Sequence, residues 1–178
     1  VMTVIQLLLS NLAMDTLAAI AFGSEPALKE YMREKPIPRN ASIISKEMFT
    51  QIIISALYIT FICLSILFLP PIRNLFGNVD TTYLKSALFA TFMMAITFNG
   101  FNARTSHMNP FEGLGRNKSF LIVMFAIFAM QFIFVTFGGN VLSVESLSPM
   151  SWLICVVLAF LVVPIDMIRK AFTKKSKE

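Results

Sequence analysis

Thr3-Val4-Ile5-Gln6-Leu7-Leu8-Leu9-Ser10-Asn11-Leu12-Ala13-Met14-Asp15-Thr16-Leu17-Ala18-Ala19-Ile20-Ala21-Phe22 is the stretch that decides the fold. No Gly or Pro interrupts it, and at 1.5 Å per residue it is roughly 30 Å long as a helix, the thickness of a bilayer's hydrocarbon core. Asp15 lies in its middle. A carboxylate at bilayer mid-depth costs about 2.5–3.5 kcal/mol on insertion scales, and such groups generally serve an ion path or a partner. Asn11 precedes it by four residues, so the two side chains share one helix face. An amide carbonyl beside a carboxylate is a hard-oxygen pair, suited to Ca²⁺ or a similar cation rather than to a soft metal. Gln6 and Ser10 form an adjacent polar strip, which Thr3 extends.

Apolar runs of similar length recur along the chain. Its composition is 56% hydrophobic with 18 Phe, and its mean hydropathy is +0.73. Five segments reach membrane-spanning length: about 2–22, 48–69, 83–103, 120–137 and 150–168. Backbone polar groups in lipid must be satisfied within each segment, so all five are expected as helices. The fold class is therefore an all-α membrane protein, a bundle of five transmembrane helices. Consecutive helices are expected to pair as antiparallel hairpins: first with second, second with third, fourth with fifth. Pro70-Pro71 stops the second helix and Gly138-Gly139 the fourth. Pro149 opens the fifth, Trp152 is expected at the outer interface, and Pro164 should kink the helix near its inner end.

Charge sets an orientation. The net charge is +5, and thirteen of the fifteen basic residues fall in loop 23–47, in loop 104–119 or in the tail after residue 168. Only Arg73 and Lys85 lie on the other side. The positive-inside rule makes both long loops and the C-terminus cytoplasmic and leaves the N-terminus outside. The same rule accounts for the basic pI without nucleic acid, and no nucleic-acid partner is expected.

The remaining polar residues read as structural. Asn99 and Asn102 are expected to form interhelical hydrogen bonds, and Asp166 an interfacial salt bridge to Arg169 or Lys170. Cys63 and Cys155 each sit alone in an apolar span and read as small buried hydrophobes. His107, the only histidine, has no Cys or His near it in sequence. Asn40-Ala41-Ser42 and Asn117-Lys118-Ser119 match a glycosylation acceptor but fall on the expected cytoplasmic side. No phosphate-binding glycine loop and no nucleophile-base constellation occurs, so the chain itself supplies no catalytic or cofactor-binding residue. Val1 heads an apolar run with no basic leader or cleavage site, as expected for a piece of a longer polytopic protein rather than a signal peptide.

Gln6 to Ala18 resembles the sixth transmembrane helix of P-type calcium pumps. Ser24-Glu25-Pro26 and Arg39 to Met48 are similar to the cytoplasmic loop after it, and Phe98-Asn99-Gly100-Phe101-Asn102-Ala103-Arg104 resembles the end of the eighth helix. The resemblance covers the whole chain, residues 1–178, as helices six to ten of a ten-helix pump. It implies an ATP-driven pump working through a phosphoaspartate, with Asn11 and Asp15 matching the family's ion-binding Asn and Asp. The other ligands would come from missing helices, and ATP and Mg²⁺ would be used by missing cytoplasmic domains. Two positions depart from the sarcoplasmic-reticulum type: Met14 stands where that type has Thr, and Ile96 where it has Glu. Both losses remove oxygen ligands of that type's second calcium site, so the pattern looks more like the plasma-membrane type, which moves one calcium per cycle.

The expectation is thus a multi-pass fragment of a Ca²⁺ pump in a bacterial cell membrane, partnered by the lipid bilayer and by the missing helices and domains of the same pump. Two rivals stand beside it: half of a cation transporter or channel without ATP chemistry, and an assembly module with no ion site.

Overall fold

The computed structural model describes residues 2–25, 42, 44–77, 79–105 and 107–175. Among them there is no strand, and five helices are long and apolar enough to cross a membrane. We label these α1 (Val4–Gly23), α2 (Lys46–Phe68), α3 (Thr81–Arg104), α4 (Lys118–Phe137) and α5 (Pro149–Thr173). Most of the loop between α1 and α2, with the basic residues Lys29 to Arg39 and the Asn40 acceptor, lies outside the described residues.

Each helix starts at a side-chain cap. Thr3 and Gln6 form a reciprocal capping box on α1, their two hydrogen bonds 2.9 and 3.2 Å long. Ser45, Asp80, Asn117 and Ser148 accept the amide N–H of Met48, Tyr83, Phe120 and Ser151. These bonds satisfy amide donors that lipid would leave bare. They also explain why α2, α3 and α4 begin two residues earlier than the first-apolar-residue reading places them. Asn117, half of the second glycosylation match, is 3% exposed and spent on its cap.

The third helix is the centre of the bundle. In α3, 67% of the most apolar stretch is buried within the chain, against 24–33% in the other four. Its buried positions include Ser86, Ala87, Ala90, Thr91, Ala95 and Thr97. Small residues let neighbouring backbones approach, which drives helix packing in lipid. The hydroxyls of Ser86, Thr91 and Thr97 bond carbonyls of their own helix and add no unsatisfied donor. The first half of α5, together with α2 and α4, packs directly on α3. The α2–α3 hairpin packs as expected. The C-terminal half of α1 packs chiefly on α4, and α5 packs chiefly on α3 while touching α4 through Trp152 and Phe132. Gly100 marks a close approach: a Cβ there would sit 3.2 Å from Met124 Cε of α4 and 3.9 Å from Phe22 of α1.

Three expectations about α5 are corrected, although its interruption by Pro164 is as expected. The helix breaks at Leu161, three residues before Pro164, because the proline has no N–H to give the Phe160 carbonyl. It then continues to Lys175, beyond the expected end at 168. Asp166 is not at an open interface. It is 1% exposed, hydrogen-bonded by Arg169 Nε at 2.6 Å and ion-paired with Lys170 Nζ at 3.1 Å. The ammonium of Lys170 also reaches the carbonyls of Asn102 (3.0 Å) and Thr105 (2.8 Å), capping the end of α3. Trp152 is likewise turned inward, its ring 5.1 Å from that of Phe132.

A second knot gathers the same end of the bundle. Arg104 donates to Glu25 at 2.7 Å and to the carbonyls of Pro110 and Glu112, and it lies over the Phe120 ring. Glu25 also accepts from Asn117 at 2.6 Å. The C-terminal ends of α1 and α3 and the start of α4 therefore meet here.

Candidate functional site

Two faces of α1 divide the polar residues between them. Gln6, Ser10, Met14 and Ala21 are buried against the bundle. Gln6 Nε2 donates to the Leu142 carbonyl at 2.7 Å. Ser10 Oγ donates to the Gln6 carbonyl at 2.8 Å and lies 2.9 Å from Met93 Sδ. Met14 packs where α1 meets Gln131 of α4, and Gln131 Nε2 donates to Thr97 Oγ1 at 2.6 Å. The strip beside the candidate pair is thus already committed to holding the chain together.

Asn11 and Asp15 are not. Both are exposed in this chain, and neither has a hydrogen-bond or ion-pair partner among the described residues. Leu8 and Leu12 on the same helix are 64% and 69% exposed, so this side of α1 has no protein cover. An ionised carboxylate facing lipid is expensive, so this face needs something to compensate Asp15.

The backbone is altered at this position. Ser10–Asp15 forms a π-helical turn between α-helical Val4–Leu9 and Thr16–Gly23. Such one-turn insertions occur frequently at functional sites. Thr16 Oγ1 donates to the Leu12 carbonyl at 2.6 Å within the widened turn. The turn keeps Ser10 and Met14 inside while Asn11 and Asp15 remain outside.

The pair cannot bind a hard cation unaided. Ca²⁺ takes six to eight oxygens, and among the described residues no three His, Cys, Asp or Glu side chains come together. Asn99 and Asn102 do not contribute. Asn99 Oδ1 accepts from Ser55 at 3.0 Å, and Asn102 Nδ2 donates to the Val162 carbonyl at 3.2 Å, as interhelical bonds. His107 pairs with Glu112 at 3.0 Å at the bundle end. Ile96 is 37% exposed and apolar. Sequence reading missed Gln131, although it is the one amide within α4. It also missed the Glu25–Arg104–Asn117 knot, whose members lie up to 92 residues apart.

Comparison with known proteins adds a family. The family model described as "Cation transporting ATPase, C-terminus" matches residues 1–172. The calcium-transporting ATPase PAT1 of Dictyostelium discoideum is 35% identical over 179 residues, covering 94% of this chain and 16% of the relative. The putative plasma membrane-type calcium-transporting ATPase 11 of Arabidopsis thaliana is 37% identical over 160 residues, with 88% and 16% covered. The human plasma membrane calcium-transporting ATPase 3 is 32% identical over 163 residues, with 85% and 13% covered. The chain spans about one-sixth of the length of the first two relatives.

Proposed function

The chain belongs to the family of cation-transporting ATPase C-termini, and from that premise we propose that it is the C-terminal membrane half of an ATP-driven pump that moves Ca²⁺. Asp15 supplies charge, and Asn11 a carbonyl oxygen, to one dehydrated ion. The observation that carries this reading is the division of α1: Gln6 and Ser10 are bonded inward, while Asn11 and Asp15, at a π-turn on the uncovered face, have no partner among the described residues. The other oxygens come from helices outside this chain that cover that face. ATP and Mg²⁺ are used by cytoplasmic domains also outside it. The basic loops and the C-terminus lie on the cytoplasmic side.

One ion per cycle fits the side chains better than two. Met14 is buried against the bundle, and Ile96 offers no oxygen. Equilibrium binding of radioactive Ca²⁺ to the full-length pump tests this. One tightly bound ion per phosphorylatable site is expected, and none in Asp15→Asn. Two ions in the native pump would overturn the stoichiometry, and one ion retained by Asp15→Asn would overturn the site. A non-ATP-driven cation channel would bind Ca²⁺ without any phosphorylatable site.

A further inference from the structure

The helix that carries Asn11 and Asp15 is tied to the bundle by different means on either side of its π-turn. Before the turn two polar side chains hold it: Gln6 bonds the Leu142 carbonyl, and Ser10 lies against Met93 Sδ. After the turn, Thr16–Gly23 offers no such tie among the described residues. Ala21 is its one buried residue, and its single hydroxyl, on Thr16, bonds the Leu12 carbonyl of the same helix. This half packs on α4, the Phe22 ring 6.0 Å from that of Phe120. Small apolar side chains let helices approach closely, but they make no polar bond that sets height or rotation. The polar tie comes only at Glu25, ten residues after Asp15. Its own turn keeps Glu25 fixed to the helix end: its N–H donates to the Phe22 carbonyl at 3.2 Å, and Ser24 Oγ donates to the Ala21 carbonyl at 2.8 Å.

We infer that Glu25 is a positioning residue of the ion site, holding α1 at the height and rotation that present Asp15 to the ion. The inference rests on the assignment of Asp15 as an ion ligand. The two oxygens of Glu25 go to two different elements. Oε1 accepts from Arg104 at the end of α3 at 2.7 Å, and Oε2 from Asn117 at the start of α4 at 2.6 Å. One bond would let α1 swing about it, whereas two bonds to separate helices fix both height and direction. Neither partner is free to follow α1. Arg104 is also held by the Pro110 and Glu112 carbonyls, and Asn117 Oδ1 accepts the Phe120 N–H at 2.9 Å. The tolerance at the site is small. A slip of one residue moves a helical side chain by roughly 1.5 Å along the axis and turns it by about 100°. Calcium–oxygen distances span only about 2.3–2.6 Å, so such a slip takes Asp15 out of contact with the ion. The π-turn at Ser10–Asp15 is where the slip would occur, because its i→i+5 bonds accommodate one residue more than an α-turn.

Calcium-dependent phosphorylation of the full-length pump from ATP tests this, with amide and carboxylate exchanged between Glu25 and Asn117. In Glu25→Gln, either orientation of the new amide turns its N–H₂ toward a donor, Asn117 Nδ2 or Arg104. Asn117 cannot turn to receive it, because its oxygen caps Phe120. Apparent calcium affinity should fall roughly tenfold, the loss of one hydrogen bond to a charged group, while the maximum phosphoenzyme level is retained. Adding Asn117→Asp supplies the missing acceptor and keeps the cap, so the double variant should regain the native affinity. Unchanged affinity in Glu25→Gln, or a double variant no better than the single, would overturn the proposal. So would loss of phosphorylation from inorganic phosphate in Glu25→Gln, which would mark a folding contact. Asp15→Asn, measured beside them, separates the two inferences. If it loses the calcium-dependent phosphoenzyme while Glu25→Gln keeps native affinity, only the role of Glu25 fails. If Asp15→Asn keeps the phosphoenzyme, the ion site fails and the role of Glu25 falls with it.

Discussion

Replacing Asp166 should be among the most destabilising single changes in this chain. Asp166 is 1% exposed, and its carboxylate pairs with two cations, at 2.6 and 3.1 Å. Removing one partner of a buried ion pair costs about 3–5 kcal/mol, because the remaining charge stays buried. The arrangement favours the lower end. Lys170 keeps its bonds to the Asn102 and Thr105 carbonyls, and Arg169 borders a cavity at the bundle end and can draw in water. We expect about 3 kcal/mol for Asp166→Asn, a change that preserves shape and removes charge. Equilibrium unfolding in mixed micelles would measure it, with a double-mutant cycle through Arg169→Gln. The double variant should be less destabilised than the two single losses added together, since one partner's removal relieves the other. A loss below about 1 kcal/mol with additive effects would mean that the ion cluster is solvated, and the argument for its structural role would fail.

Met14→Ala should lower stability by about 2 kcal/mol, since Met14 is 6% exposed in the bundle core, yet leave the calcium dependence of phosphorylation unchanged. A shifted calcium dependence at unchanged stability would make Met14 a site residue instead. Cysteines placed at Ser176 and Thr81 should react with impermeant reagents from opposite sides of a sealed vesicle. Reaction of both from one side would break the five-span topology.

The number and order of the helices were legible because apolar length alone identifies a span. Their beginnings were less so, because Ser45, Asp80 and Asn117 act before the first apolar residue as caps. Which helices touch was not legible. In lipid the outer and inner faces are both apolar, so Phe125, 74% exposed, and Phe120, fully buried, look alike in sequence. Small residues such as Ala87 and Ala95, with isolated amides such as Gln131, decide the packing instead. The charges of Asp166, Arg169 and Lys170 read as the end of a span, but Asp166 pairs with both cations and the helix runs on. At the candidate site, residue type and i,i+4 spacing singled out Asn11 and Asp15. The π-turn and the inward bonding of Gln6 and Ser10 needed coordinates, because both depend on what α3, α4 and Leu142 present to α1.

The central claim is that the Asp15 carboxylate binds the transported ion, and phosphorylation of Asp15→Asn in the full-length pump tests it most directly. Losing a charged ligand should abolish the calcium-dependent phosphoenzyme formed from ATP, while phosphorylation from inorganic phosphate, which needs no bound calcium, should persist. Normal calcium-dependent phosphorylation from ATP in that variant would show that Asp15 only holds helices together.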